Sequence, residues 1–398
     1  MKDLVSQFGR RPKVGLIGFF GWGNYGDELF LDQWHRVLDP YFDAQPIHDL
    51  MRAPYFSRDP KTVAQEYDAF VIGGGDLVIP NKVSELYWNE AWLAKKVYIA
   101  GVGVPTWIKN ENPRVLAYMS RFFQHPNVQY IGARDAESAA WIRENLKPGI
   151  PVRVHPDIVY SMPLPEPRRY AEDKVLGISV RQRRNQKVDD YSALSAMVEV
   201  ARERGYAIKV LVLSNGRTGA ADLQAAERLP FQPFEVVHSE SMEELTAALG
   251  GLDVLASMKF HGSLVASMYG VPSIVLSPTT KSKNLYQALG RTDLLSHLND
   301  ASMADKLEPA QNRIAPDVIA RQVEGAHRGL AELVRQMRLQ LDPKSVLPRT
   351  VTGIPGAVRE FGPDSLMLAR RGAAEAAASA RSFASRGARR IRRQFTAG

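Results

Sequence analysis

The chain has 398 residues. A domain with a single hydrophobic core is usually shorter, so this length predicts two domains with an appendage. Hydrophobic residues make up 45% of it and charged residues 24%, a globular composition without an apolar run long enough to cross a membrane. The sequence has no cysteine, which excludes disulfides, thiolate metal sites and cysteine nucleophiles. The N-terminus lacks the order of features found in a signal peptide, so we expect a cytoplasmic protein.

The net charge of +8 is concentrated at the C-terminal end. Residues 346–398 contain ten arginines and three acidic residues, so the rest of the chain is nearly neutral. A near-neutral body argues against a nucleic-acid-binding protein, because phosphate binding needs clustered Lys and Arg on the folded surface. Large apolar residues are sparse in 346–398, which predicts disorder or a loose surface helix. The alternative is that its arginines attach the protein to an anionic membrane surface.

Short apolar runs alternate with helical segments along the chain, which is typical of βαβ units and a largely parallel sheet. The predicted strands of the first half are 13–19, 69–72, 96–100, 128–131 and 152–154, and those of the second half are 175–180, 208–213, 235–237, 254–257 and 273–276. A Pro-rich, charged linker at 163–167 separates the two sets. We therefore predict an α/β protein with two Rossmann-like doubly wound domains, 1–165 and 166–345, and a tail, 346–398. Their strand ends would face one cleft, where ligands of such sheets bind.

The first motif is the glycine-rich segment 21–26, Gly-Trp-Gly-Asn-Tyr-Gly, which follows a strand and opens a helix. Read literally, it is a dinucleotide fingerprint and predicts a dehydrogenase. However, Asp27 and Glu28 follow at the helix N-terminus, where they would repel a pyrophosphate. They could be ordinary acidic residues at a helix start, or Asn24, Asp27 and Glu28 could grip sugar hydroxyls with one carboxylate as a base.

A second glycine-rich segment, Gly73 to Gly75, follows the next predicted strand and ends at Asp76. Glycines at this place allow a backbone to approach a ligand closely or to turn tightly, and the sequence leaves both uses open. We place Gly74 and Asp76 with Asn24 and Glu28 as candidate acceptor-binding residues.

The strongest site signal is the segment 257–270, SMKFHGSLVASMYG. A buried strand leads into Lys259, Phe260 and His261, and a helix follows. The N–H groups and dipole of the helix N-terminus, together with a lysine, predict an anion site, and a histidine there is placed for proton transfer. Arg181 at a strand end and Lys281, with Lys283 as a competing choice, could complete the anion pocket. No metal-binding spacing, Walker A sequence or serine-hydrolase motif occurs, so we expect neither a metal nor a cofactor.

These elements in this order resemble the polysaccharide pyruvyl transferase family: GWGNYGDE, VIGGGDL, GARDAES, HPDIVYS, SVRQR, SMKFHGSLVASMYGVPSIVLS and the lysine before NLYQALG. The resemblance covers about residues 13–292 and implies a fold similar to the GT-B glycosyltransferases. It also implies transfer of pyruvate from phosphoenolpyruvate to two hydroxyls of a sugar as a cyclic ketal. The family triplet usually begins with Arg, so Lys259 keeps the charge but loses the bidentate fork.

The resemblance implies that the functional residues are Arg181, Lys259, Phe260, His261 and Lys281. Our hypothesis is that Arg181, Lys259, Phe260 and Lys281 bind phosphoenolpyruvate, that His261 is the general acid and that Asp27 is the base. The expected partners are phosphoenolpyruvate and a sugar or lipid-linked glycan. A lipid-linked acceptor would place the enzyme at the inner face of the cell membrane. The main alternative is a GT-B glycosyltransferase with a nucleotide-sugar donor, and a non-enzymatic sugar-binding protein is a further one.

Overall fold

The structure is a computed structural model that describes residues 10–182 and 189–341. Its first half forms a six-stranded parallel sheet with the strand order β2-β1-β3-β4-β5-β6. The strands are β1 (Lys13–Ile17), β2 (Asp43–Pro46), β3 (Ala69–Gly75), β4 (Lys96–Val102), β5 (Val128–Ala133) and β6 (Val152–Val154). The helices are α1 (Tyr25–Leu38), α2 (Pro60–Gln65), α3 (Pro113–Gln124) and α4 (Ala136–Leu146).

The second half forms a five-stranded parallel sheet with the order β11-β10-β7-β8-β9. Its strands are β7 (Val175–Ser179), β8 (Ala207–Leu211), β9 (Glu235–Val237), β10 (Val254–Ser257) and β11 (Ser273–Val275). The helices are α5 (Ser192–Glu203), α6 (Gly216–Ala226), α7 (Met242–Gly250), α8 (Phe260–Met268), α9 (Thr280–Ala288) and α10 (Pro316–Leu341).

The predicted class, two parallel α/β sheets, is confirmed, and each of the ten predicted strands is present. The prediction missed β2, whose sequence is DAQP. Alanine is the one buried residue of this edge strand, so the sequence pattern does not distinguish the strand from a loop.

The last helix connects the two halves. Helix α10 packs on the side of the first sheet, where the Gln340 side chain accepts from the Tyr98 hydroxyl at 2.7 Å and Gln336 donates to the Gln129 carbonyl at 2.5 Å. The large hydrophobic core that runs through the second half also includes β1, α1 and α10 residues. The limits 1–165 and 166–345 stay a prediction, with α10 contacting the first sheet although it follows the second in sequence.

Two further predictions concern the basic tail and membrane-spanning helices. The basic tail 346–398 lies outside the described residues. Among the helices within 10–182 and 189–341, none combines the length and the apolarity that a membrane span requires.

Candidate active site

A cleft with a cavity volume of about 90 Å³ lies where the carboxyl ends of the two sheets meet. Its walls come from both halves of the chain, as expected for paired doubly wound sheets. Six of the predicted site residues line it: Asn24, Arg181, Lys259, Phe260, His261 and Lys281. The structure therefore brings the predicted anion-binding and proton-transfer residues together.

Helix α8 begins at the wall of this cleft because strand β10 ends there and the chain turns. Lys259 is its N-cap residue with extended backbone (φ −98°, ψ 118°), and its side chain makes no capping hydrogen bond. The Ser257 hydroxyl instead accepts from the Lys259 N–H at 2.9 Å. Residues 262–268 are all buried, which anchors the helix. The first turn of α8 thus presents its N–H groups and positive dipole potential without a capping side chain from Lys259.

His261 lies in the first turn of α8 and contacts the other half of the molecule on two sides. Its Nε2 atom lies 3.5 Å from Oδ2 of Asp157, and its ring packs edge-to-face on Phe30 with centroids 5.0 Å apart. The Nδ1 side of the ring faces Gly26 in the first turn of α1, where any Cβ would overlap the imidazole. Gly26 is therefore required for this close approach of α1 and α8, and the imidazole is fixed from both domains.

Asp157 is buried and belongs to a group of charges behind His261. Burial tends to raise its pKa, but His261 and Arg134 outweigh that effect and hold the pKa below its usual range. The Asp157 Oδ1 atom also accepts from the Val159 N–H at 3.1 Å. Among the described residues, neither His261 Nε2 nor Asp157 Oδ2 has a hydrogen-bond partner of good geometry. Asp157 thus places a carboxylate beside the imidazole, and the two groups do not form a hydrogen bond of good geometry.

Lys259 is held by a carboxylate from α6. Its Nζ atom lies 2.5 Å from Oδ2 of Asp222 and 3.4 Å from Oδ1 of Asn24. Burial lowers the pKa of Lys259, and the charge of Asp222 opposes this shift. Asp222 Oδ1 also accepts from the Gln182 N–H at 2.9 Å, next to Arg181 in sequence. One buried carboxylate therefore positions Lys259 and the backbone beside Arg181.

Lys281 reaches across the cleft to the first domain. Its Nζ atom lies 2.9 Å from Oδ2 of Asp76, and Arg134 pairs with the other oxygen of that carboxylate. Burial tends to raise the pKa of Asp76, but the two cations lower it to about 2. The Phe260 ring has Lys281 Nζ and the Arg134 guanidinium each 5.2 Å from its centroid. Phe260 and Asp76 thus position the cations at this end of the cleft.

The two acidic residues of the first motif have different surroundings. Glu28 Oε1 accepts from the N–H groups of Gly21 and Gly23, each at 2.9 Å, and burial raises its pKa to about 7. Those N–H groups are the ones that a pyrophosphate would need, so the dinucleotide interpretation has no support here. Burial also raises the pKa of Asp27, whose Oδ2 accepts from the Asn24 amide at 2.6 Å. Asp27 is thus a buried carboxylate oriented by Asn24, whereas Glu28 anchors the loop.

The second glycine segment packs against the same region of the site. Gly74 has φ +90°, and a Cβ there would lie 2.6 Å from Cγ of Phe30, the ring that packs on His261. Gly74 is therefore explained by packing, and its predicted contact with an acceptor stays a prediction. The roles of the other predicted site residues likewise stay predictions.

Three residues that contribute to the site are not among the predicted site residues: Arg134, Asp157 and Asp222. Arg134 and Asp157 follow strand ends, which is a signal, but many loop residues share it. Asp222 lies within α6 at no strand end, and nothing in the sequence indicates its contact with Lys259.

The sequence profile of polysaccharide pyruvyl transferases matches residues 24–280, about two thirds of the chain and each predicted site residue except Lys281. The chain belongs to this family. It is therefore a transferase, and the family implies a pyruvyl group as the transferred unit and a polysaccharide as the acceptor class. No curated protein sequence matches the chain.

Solved structures with the same architecture agree with the predicted GT-B-like fold. S. aureus MnaA in a co-structure with UDP matches with a TM-score of 0.57 and 10% identity, over 83% of this chain and 97% of that chain. UDP-GlcNAc 2-epimerase from Methanocaldococcus jannaschii matches with a TM-score of 0.52 and 12% identity, over 81% and 99%. At these identities the similarity shows the fold alone.

Proposed function

We propose that this transferase moves the pyruvyl group of phosphoenolpyruvate onto two hydroxyls of a sugar as a cyclic ketal. The observation that carries the proposal is His261, set at the uncapped start of α8 with Arg181, Lys259 and Lys281 lining the same cleft. Phosphoenolpyruvate has a phosphate and a carboxylate, so it needs several cations and one acid. The cleft supplies both.

The donor would be held by the second domain. A helix N-terminus with basic side chains binds phosphate through N–H groups, dipole and charge together. Arg181 offers a planar fork for a carboxylate or phosphate, whereas Lys259 acts as a point charge. Lys281 already pairs with Asp76, so the donor must share or replace that contact.

His261 is the proposed general acid. Its proton goes to the methylene carbon of phosphoenolpyruvate, and C2 gains oxocarbenium character. Asp157 at Nε2 stabilises the protonated imidazole, which leaves the Nδ1–H as the donated proton on the side of Gly26. The helix dipole disfavours a cation here, and Asp157 offsets that effect.

Asp27 is the proposed base for the acceptor. Its raised pKa makes the carboxylate more basic than an exposed aspartate, and Asn24 orients it. A sugar hydroxyl loses its proton to Asp27 and attacks C2. The C2–O bond to phosphate then breaks, with the electron pair leaving on phosphate. A second hydroxyl attacks C2, and its proton passes to the departing phosphate. The products are the ketal and one inorganic phosphate, with a methyl group where the methylene was.

The proposal is tested with purified protein, phosphoenolpyruvate and a panel of neutral glycans. We expect phosphate release only when a suitable glycan is present, with an acid-labile product heavier than the glycan by pyruvic acid less one water. A nucleotide-sugar panel under the same conditions should give no transfer. Turnover of a nucleotide sugar, without any from phosphoenolpyruvate, would refute the proposal and support a glycosyltransferase.

A further inference from the structure

Four half-buried rings form a cluster beside the cleft that the reaction above does not use. We name the rings of Phe19, Trp22, His48 and Tyr55 the aromatic platform. Trp22 stacks on Phe19 with centroids 4.2 Å apart and an interplanar angle of 8°, and on His48 with centroids 5.0 Å apart. Tyr55 meets Trp22 edge-on at 6.4 Å. The platform lies at the carboxyl ends of β1 and β2, the edge of the sheet that faces the cleft.

Trp22 is fixed to the reacting region by its own loop. Glu28 in the first turn of α1 accepts from the N–H groups on both sides of Trp22, those of Gly21 and Gly23. The indole Nε1 donates to the Met51 carbonyl at 3.0 Å. Since Asp27 precedes Glu28, the platform is held rigidly to the helix turn that carries the proposed base.

Trp22 also contacts the second domain. The Thr218 hydroxyl donates to the Trp22 carbonyl at 2.5 Å, and the Asn215 N–H donates to the Gly23 carbonyl at 2.8 Å. The loop that carries Trp22 therefore lies at the boundary between the domains, two residues before Asn24, which lines the cleft.

The backbone of Tyr55 is strained at the position where its ring contacts Trp22. Its φ of +66° lies in the left-handed region, which is rare for a bulky side chain, and the Asp49 and Leu50 N–H groups donate to its carbonyl. Strained backbone of this kind persists where the surroundings impose it and is frequent at ligand sites. The strain therefore marks the position of this ring as significant.

The platform carries no charge near neutral pH. Burial lowers the pKa of His48 to about 4, so its imidazole is neutral, and its Nε2 pairs with the Phe20 carbonyl at 3.0 Å. An apolar, uncharged set of rings suits a neutral ring-shaped ligand better than an anionic one. The face of a pyranose fits that description, because its C–H groups pack on aromatic rings while its hydroxyls stay hydrated.

We propose that the aromatic platform is a subsite for a neutral pyranose unit of the acceptor glycan, adjacent to the unit that receives the pyruvyl group. The inference rests on the proposed function for the position of the reacting sugar. It makes the acceptor an oligosaccharide or longer glycan rather than a monosaccharide.

The test measures binding of neutral methyl pyranosides and of neutral oligosaccharides to the full chain by isothermal titration calorimetry. Phosphoenolpyruvate is titrated in parallel. We expect an oligosaccharide that binds more tightly than each monosaccharide in the panel, and a rise of about tenfold in its Kd for Trp22→Ala. Trp22→Phe keeps the stacking and should restore most of the affinity. Phe234→Ala changes an exposed aromatic residue just before the edge strand β9; it is the matched control and should bind as the wild type does.

Tyr55→Asn guards against a folding artefact, because asparagine tolerates positive φ and should not destabilise the fold. It is expected to weaken oligosaccharide binding without changing the Kd of phosphoenolpyruvate. The inference is overturned if no oligosaccharide in the panel binds the wild type, or if both Trp22→Ala and Tyr55→Asn bind as the wild type does. Oligosaccharide binding that depends on Trp22, together with no binding of phosphoenolpyruvate, would instead reject the proposed function and keep the platform.

Discussion

Replacing Gly26 with alanine tests whether the position of the His261 imidazole decides activity. A Cβ at residue 26 would lie 2.6 Å from Cε1 of His261 and nearer still to Nδ1 and Cγ, well inside ordinary contact. The ring must move by roughly 1 Å or more, since the packed helices around it yield little. A displacement of about 1 Å at a catalytic group can cost about 100-fold in rate, or about 2.7 kcal/mol. We therefore expect kcat to fall by at least about 100-fold.

The fold of the Gly26→Ala protein should survive, because alanine favours the helix by about 0.5–1 kcal/mol and offsets part of the clash. Gly149→Ala is the matched control, since a Cβ there meets no atom within 4 Å. The assay is phosphate release from phosphoenolpyruvate in the presence of acceptor, with thermal unfolding in parallel. Wild-type kcat in a folded Gly26→Ala protein would show that the reasoning about His261 is wrong.

Three further changes test the surrounding groups. Asp157→Asn removes the anion beside His261 Nε2, so kcat should fall about 100-fold or more and its pH optimum should move to lower pH; an unchanged pH profile would contradict this positioning role. Asp222→Asn leaves the buried Lys259 without its carboxylate, so the KM for phosphoenolpyruvate should rise at least about tenfold, and more at high pH. Glu227→Gln, at the exposed C-cap of the same helix, is the control. The pKa of Glu28 is raised to about 7 in the folded protein. Between about pH 4.5 and 7 the native carboxyl therefore binds more protons than the unfolded one. The free energy of unfolding of the wild type should thus fall by at most about 3 kcal/mol as the pH rises through that window. Glu28→Gln should flatten that fall in thermal unfolding, and an equal fall in both proteins would refute the assignment.

Much of the fold could be predicted because parallel strands are continuously apolar and end in glycine or polar residues. Strands β3, β4 and β10 are examples, since each is buried along nearly its whole length. Strand β2 lies at an edge with alternating exposure and few apolar residues, so its pairing with β1 depends on tertiary context.

Site residues were predictable where a basic residue or a histidine closely follows a strand. His261 and Lys259 follow β10, and Arg181 follows β7 closely. Asp222 could not be predicted, because its role depends on which face of α6 turns toward Lys259. The use of Gly26 depends on the distance between two helices, and a sequence does not contain that distance.

Glu28 illustrates a different limit. The sequence predicts it as an acceptor-binding residue beside the candidate base Asp27, but only the loop geometry shows that its carboxylate binds the glycine N–H groups. The same contact decides against the dinucleotide fingerprint. A sequence can thus match the spacing of a ligand-binding motif while its backbone N–H groups donate to a side chain.

In the proposed reaction phosphoenolpyruvate is the donor and His261 protonates it. The most direct measurement is conversion of phosphoenolpyruvate to phosphate and ketal by the wild type and by His261→Ala, with the Kd of phosphoenolpyruvate for both. We predict turnover by the wild type, none detectable by His261→Ala, and phosphoenolpyruvate bound by both folded proteins. Full turnover by His261→Ala, or no binding of phosphoenolpyruvate by the wild type, would contradict this mechanism.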